Sequence, residues 1–540
     1  MKKLSTALLA SCMVAATAFA ADSEAQFSPA AIRAHITFLA DDLLEGRETG
    51  SRGYDIGARY IASQFAALGL QPAGLNGDWF IPAKFHVNTI VDAAITVSGP
   101  AGSQRWENGT EVMMRSNALV QMQDVEADAV FVGYGIDEPR TGINNYENLD
   151  VRGKIVVAFD DFPKGMESEL GAYLGDSQAE TAARHGAIGL VRIDTIQSEK
   201  ASPWARRVQT LNARRMTWMT PTGEPYVSSP AVFAGIQLNL AAAEALFAGA
   251  PTSFADIRKT ADAVGGNPPG FPLKTKIRVQ RNSNWDQVSS SSIAAMIPGS
   301  DPQLKDEYVV LMGHADHIGI SLGRQEDQIN NGALDNAAGI ATLLEVARAF
   351  ATSPEKPRRS IIFFASTGEE KGLLGADFFA HYPTVPIDKI VGLVDLDMPI
   401  LLYDFTDVTA FGADHSTMGQ IVRRAGEKMN VAVAPDPMPE EGIFTRSDHY
   451  MFVRQGVPAI MLATGRANGG EAAWADYLAN HYHQPSDDLS QNINWEAGAK
   501  FANLNYLITR EMADSDERPL WIEGDFFGDV FAPKQPRAPK

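Results

Sequence analysis

The chain has 540 residues, 45 % of them hydrophobic and 21 % charged, with a net charge of −20. That length exceeds what one ordinary core accommodates and predicts two or more domains in a globular protein. The acidic balance argues against nucleic acid as a partner, because phosphates would be repelled; by itself it selects no function, since acidic surfaces also keep proteins in solution.

At the start, Lys2 and Lys3 precede an apolar run from Leu4 to Ala20 that ends in Ala18-Phe19-Ala20, a small-x-small cleavage pattern. This predicts a signal peptide over 1–20 and an exported protein, periplasmic or extracellular. The run is short for a membrane span and polar residues follow at once, so stable membrane insertion is not expected. Cys12 is the only cysteine and falls within that leader, so the mature chain is expected to have neither a disulfide nor a thiol nucleophile.

Ser28-Pro29 opens a first predicted helix, as a cap followed by proline at the first helical position. A second carries Ile56, Tyr60, Ile61, Phe65 and Leu68 at helical spacing and stops at Gly69. From about Val87 to Val279 the pattern changes to short β-type runs, "AAITVSG", "DAVFVGYG", "GKIVVAF", "GLVRI" and "AVFAGI", broken by Gly, Pro and Asn and by one helical patch, "AETAARHGA". From Ile293 onward strands and helices alternate. "YVVLMGH", "SIIFFAS", "KIVGLVDLDM" and "VPAIMLAT" read as buried strands, with "DNAAGIATLLEVARAF", "LLGADFFAHY" and "HSTMGQIVRRAGEKM" as helices.

Near-continuous apolar strands between helices predict an α/β fold, a mostly parallel mixed sheet covered by helices. The expected organisation is a discontinuous catalytic domain over 21–86 and 287–515, a small β-rich insertion over 87–286, and a tail over 516–540 whose end, "APKQPRAPK", is expected to be disordered.

In open α/β sheets, ligands bind beyond the carboxyl ends of the strands. Here those ends deliver His314, Asp316 and His317, then Glu369 and Glu370, then Asp395 and Asp397; Asp335 opens the helix after "NNGAL", and His481 and His483 follow the last strand. Each alone has an ordinary reading: Asp335 as a helix cap, Glu369-Glu370 as a solvated pair at a helix start. Asp397 is harder to explain so, because a carboxylate ending an apolar strand is costly unless paired or metal-bound. Imidazoles with carboxylates and no thiolate suit zinc, or less well manganese or cobalt. Two histidines and three carboxylates exceed one four-coordinate ion and suit two, with Asp335 as the bridge. The small Gly332, Ala333, Ala337, Ala338 and Gly339 are read as clearing space for that approach.

Together "GHADHIG", "ALDNAAG", "STGEEKGLLG", "VDLDM", "RSDHYMF" and "YHQPSDDL" resemble the co-catalytic zinc exopeptidases of metallopeptidase family 28. The likeness extends to "LEGRETGSRGYDIGARYIASQFAALGL" near the start, and "VFVGYGI", "NLDVRGKIVVAF" and "AETAARHGAIGLVRI" are similar to the protease-associated domain inserted in many members. The resemblance implies two zinc ions held by His314, Asp335, Glu370, Asp397 and His483, with Asp335 bridging. It implies Glu369 as general base, Asp316 as the carboxylate orienting His314, and Tyr482 as a donor to the oxyanion; Glu440 and Arg446 match loosely the positions that bind the substrate amine. Asp395 and Ser292 stand where the family often has Asn, and neither is a ligand position. The implied partner is a peptide substrate and the implied activity that of an exported aminopeptidase. A carboxypeptidase or dipeptidase of the same family is the alternative, and a non-catalytic receptor-like relative is disfavoured because every ligand position and the base are filled.

Overall fold

Strand Tyr308–His314, buried from its second residue on, sits at the centre of the C-terminal half. It pairs in parallel with Ser360–Ser366 on one side and Ile390–Asp395 on the other, and Ile390–Asp395 pairs in parallel with Ala459–Thr464. Such strands are covered on both faces, which is why they read as unbroken apolar runs. The computed structural model describes residues 27–100, 102–321 and 326–540, so the expected signal peptide lies outside the described residues. Among these, 16 strands form one mixed sheet. Asp407–Phe411 runs antiparallel to Ala459–Thr464, and Phe271–Ile297 runs antiparallel to Ser360–Ser366.

Helix Ala338–Thr352 packs against Pro29–Leu39 and Trp495–Asp514. It is buried on nearly every residue from Ala338 to Phe350, as expected for a helix held between a sheet and other helices. The first helix is capped as its sequence predicts, Ser28 Oγ accepting from Ala31 N at 3.2 Å. With Arg52–Ala67, that helix shares the apolar cluster of the C-terminal half, which includes Ile36, Phe65, Val310, Phe363 and Leu393. No helix among the described residues is long and apolar enough to cross a membrane.

The segment expected to be β-rich carries more helix than that. Ile155–Phe159, Gly189–Ile193 and Phe233–Leu238 are mutually parallel, with helices Ser168–Asp176, Gln178–Arg184, Leu240–Leu246 and Phe254–Ala261 between or after them. Their apolar residues form a cluster of their own, including Phe131, Val157, Ile193, Leu246 and Ile257. Two long antiparallel strands, Phe80–Gly99 and Phe271–Ile297, join this part to the rest through one continuous ladder with a register shift at Asn282/Ser283. A second tie is Trp218, whose indole Nε1 donates to Asp377 at 2.7 Å.

The C-terminal segment corrects the expectation of disorder. Trp521–Ile522 pairs with Arg537–Ala538, and helix Phe526–Phe531 lies between them. Trp521 and Phe527 are each 1 % exposed and belong to the main apolar cluster, so burial of these aromatics holds a segment whose Pro and Lys content suggested none.

His415 joins three parts of the chain. Its Nε2 lies 2.6 Å from Glu169 Oε2 and its Nδ1 2.6 Å from Asp525 Oδ2. Burial alone would lower the imidazole, but the two carboxylates outweigh it and push it up to about 10. A group raised on folding stabilises fully below its unfolded value, near 6.5, and loses that contribution as pH rises through its folded value. The thermal midpoint of the wild type is therefore expected to fall between pH 6.5 and 10 more steeply than that of His415→Gln. The difference corresponds to on the order of 2–4 kcal/mol. Parallel pH profiles of the two proteins would remove this role from His415.

Candidate metal centre

The loops at the carboxyl ends of the parallel strands converge as the strand-end rule requires. His314 Nε2 lies 3.1 Å from Asp397 Oδ1 and 3.2 Å from Asp335 Oδ1. His483 Nε2 lies 3.3 Å from Asp335 Oδ2 and 3.2 Å from Glu370 Oε2. The five residues expected as ligands are thus brought together from strands and loops up to 169 positions apart, with Asp335 offering one oxygen to each side.

Two overlapping donor groups result, His314–Asp335–Asp397 and His317–Asp335–Glu370, each with its ligand atoms within 4.8 Å of one another. His317 is the addition to the expected set. It is fully buried, and its Nδ1 stands 2.7 Å from Glu370 Oε1. Neither of these atoms makes a hydrogen bond of acceptable geometry, and His317 Nε2 has no partner among the described residues. Buried polar atoms left so are costly unless something else engages them. Imidazole nitrogens and carboxylate oxygens, with no sulfur, form a donor set suited to zinc. The residues present therefore fit a pair of divalent cations. The crowding of carboxylates points the same way: Asp316, Asp335, Asp395, Asp397, Asp448 and Asp487 are all buried in this one region.

The electrostatics follow from burial and proximity. Burial would lower His314, but Asp397, Glu369 and the bond to Asp335 reverse this and hold it well above its usual value. Burial would raise Asp335, yet hydrogen bonds from His314 and His483 hold it well below the carboxylate range. For Glu370, burial and Asp335 push upward, and His317 with His483 overcome them to leave it at about 2. Glu369 goes the other way: burial lifts it well above the usual range, Asp397 and Glu370 add to the shift, and His314 opposes it.

The surrounding residues fix these groups. Asp316 does not present its carboxylate to His314, as the resemblance implies; its backbone carbonyl accepts there, 3.1 Å from Nδ1. The carboxylate instead accepts from Thr49 Oγ1 at 3.0 Å and from the backbone N–H groups of Glu369 and Glu370 at 3.3 and 3.4 Å, tying down the turn that carries both glutamates. Ser447 Oγ lies 2.8 Å from Asp395 Oδ2 and 2.7 Å from Asp397 Oδ2, and Asp395 also accepts from the His449 N–H. Tyr482 stacks on His483 with ring centroids 3.8 Å apart, and burial beside Asp335 and Glu370 raises its phenol so that it stays a donor.

Two supports were not foreseen. Asp487 accepts from the backbone N–H of Leu334 and Asp335 at 3.0 Å each and from the Tyr477 hydroxyl at 2.9 Å, shaping the turn that presents Asp335. Arg47, 2 % exposed, donates to the carbonyls of Ala315 (3.1 Å), Asn331 (2.6 Å), Gly332 (3.1 Å) and Leu39. It thereby ties the loop after His314 to the loop before Asp335. Their signals were present in the motifs "LEGRETG" and "QPSDD", but nothing in either names its target.

The small residues around Asp335 clear space for protein rather than for ions. A Cβ on Gly332, which has φ +60°, would meet Asp335 O at 2.2 Å and the His317 ring at 2.7 Å; one on Gly339 would meet Leu396 O at 2.1 Å. Arg446 lies near enough to act electrostatically on the Tyr482 phenol. It pairs with Glu441 at 3.0 Å, both side chains more than half exposed.

The sequence profile of Peptidase family M28 matches residues 292–508, which hold every candidate ligand. A probable zinc metalloprotease of Pyrenophora tritici-repentis is 36 % identical over 116 residues, 21 % of this chain and 24 % of the relative. A probable leucine aminopeptidase 2 of Aspergillus oryzae is 26 % identical over 233 residues, 40 % of this chain and 43 % of the relative. The chain thus spans less than half the length of these curated relatives. In fold it is similar to an aminopeptidase from Aneurinibacillus sp. strain AM-1, with TM-score 0.52 and 18 % identity over 92 % of this chain and 97 % of that one.

Proposed function

From the premise that the chain carries a Peptidase family M28 domain over residues 292–508, we propose that it is an exported zinc aminopeptidase that hydrolyses N-terminal peptide bonds. The observation carrying this reading is the pair of donor groups that share Asp335. His314 and Asp397 would hold one zinc, and Glu370 with His483 the other; the orphaned nitrogens of His317 make it a further donor on the second side. When bound, such a pair polarises the scissile carbonyl and lowers the pKa of the attacking water.

The chain's own residues do the rest. Glu369, raised by burial, is matched to accept a proton from the attacking water and return it to the leaving amine. Tyr482, held flat against His483, donates to the developing oxyanion. Ser447 and Asp395 keep Asp397 aimed, and Asp316 keeps the Glu369–Glu370 turn in place. No nucleophilic side chain takes part, so no covalent intermediate forms. We also assign residues 21–86 and 287–515 to the catalytic domain and 87–286 to an insertion of the protease-associated kind; the separate apolar clusters of the two parts support that division.

Elemental analysis combined with a substrate panel tests the reading. Two zinc ions per chain are expected. Hydrolysis of aminoacyl p-nitroanilides should be lost on chelation and recovered with zinc, while N-blocked peptides stay intact. Full activity in a metal-free preparation would overturn the zinc assignment, and preferential cleavage of N-blocked peptides would point to a carboxypeptidase.

A further inference from the structure

A recess of about 460 Å³ opens in the inserted region, and its wall brings together Arg115, Arg215 and Arg281. Arg281 is 3 % exposed. Its Nε donates to Gln123 Oε1 at 2.6 Å and its Nη1 to the carbonyls of Arg115 and Ala234 at 2.9 and 3.0 Å, all neutral acceptors. Among the described residues none of the three arginines has a carboxylate ion-pair partner. Their neighbours differ: Arg192 pairs with Asp160 at 3.2 Å and Arg278 with Asp124 at 2.6 Å. Arg115 lines the recess and is exposed to solvent.

Arg281 is a desolvated cation held only by neutral groups, which is costly, and an anion is the partner that offsets such a charge. Burial pushes Arg281 down to about 10. Arginine keeps its charge at neutral pH. The rest of the lining is largely apolar, with Met216, Val227 and Phe233 inside and the exposed Leu119 and Val120 alongside. An inorganic ion would leave those surfaces unused. The volume lies within the range that holds small organic ligands. Three guanidiniums in one recess also concentrate positive charge on a chain whose net charge is −20.

We propose that this recess binds a carboxylate-bearing organic anion with an apolar body, of the kind presented by the free C-terminus of a short hydrophobic peptide. Guanidinium forks match a carboxylate's two oxygens, and the apolar wall takes the hydrocarbon part. The site is separate from the metal ligands and stands whether or not the chain is a peptidase.

The test is calorimetric titration of the full chain, at low ionic strength, with N-acetyl-Leu-Phe as the free acid, with its C-terminal amide, and with inorganic phosphate. The acid is expected to bind at least tenfold more tightly than the amide or phosphate. Arg115→Gln combined with Arg215→Gln should weaken the acid at least tenfold with an unchanged thermal midpoint. If the double variant is destabilised, Arg115→Gln alone, at an accessible position, should still weaken it severalfold. Equal binding of acid and amide, no binding of the acid, tighter binding of phosphate, or wild-type affinity in the folded variants would each overturn the assignment.

Discussion

Glu369→Gln is expected to lower turnover by about three orders of magnitude while leaving zinc content and thermal midpoint close to those of the wild type, since a positioned general base contributes roughly 10²–10⁴-fold. The reason is the division of labour between two adjacent glutamates. Glu370 is engaged by His317 and His483 and drawn down to about 2, the behaviour of a group committed to holding a cation. Glu369 is raised by burial and beside Asp397 and Glu370, the behaviour of a group suited to exchanging a proton. The amide of Gln keeps the size and loses only the proton acceptor. Glu370→Gln should do the reverse, lowering zinc stoichiometry first. The measurements are steady-state kinetics on an aminoacyl p-nitroanilide and elemental analysis of the same preparations. Turnover near wild type in Glu369→Gln would remove that residue as the base, and loss of zinc in that variant would make it a ligand.

Arg47→Ala is expected to abolish activity from a distance, through loss of metal affinity and of stability together. The guanidinium reaches carbonyls on three separate segments, at Leu39, at Ala315 and at Asn331–Gly332. Truncation removes that donor from the Leu39, Ala315 and Asn331 carbonyls, at about 1–3 kcal/mol for each group not rescued by water, while Gly332 O still accepts from the Ala337 N–H. It also removes a buried arginine whose charge acts on Asp487, Asp316, Asp335 and Glu370 together. The thermal midpoint should fall by several degrees, and zinc affinity by at least the 10–100-fold typical of groups that orient ligands. Arg47→Lys keeps the charge but not the planar fork, so it should fall between the two. A zinc titration against a chromophoric chelator, with melting curves of the metal-free and metal-loaded forms, reads both effects. Native zinc affinity in Arg47→Ala would show that the two loops hold their places without it.

Much of the site was legible because the strand-end rule acts on local information. A buried strand followed by a metal-capable residue can be recognised within ten positions, and His314, Glu370 and Asp397 were found that way; all three meet at Asp335 or beside it. Asp316 shows where such reading stops. Its position beside His314 was correct, but side-chain direction is set by what lies across the loop, and Thr49 with the two glutamate N–H groups takes the carboxylate away from the imidazole. His317 was visible in "GHADH", yet whether it or His483 faces Glu370 depends on packing between loops far apart in sequence, and both do. Arg47 and Asp487 act on main-chain groups, which carry no residue-specific mark in the sequence at all.

The amino-acid sequence by itself determined the alternation of strands and helices, the α/β class and the chemistry of the donor set, because apolar periodicity and residue type are properties of short stretches. Only the tertiary structure decided which donors share a candidate ion site, why the residues around Asp335 are small, that the end of the chain is packed rather than loose, and that Arg115, Arg215 and Arg281 line one recess. These are matters of contact between segments tens to hundreds of residues apart, fixed by burial and hydrogen bonding across the fold, and no local pattern encodes them.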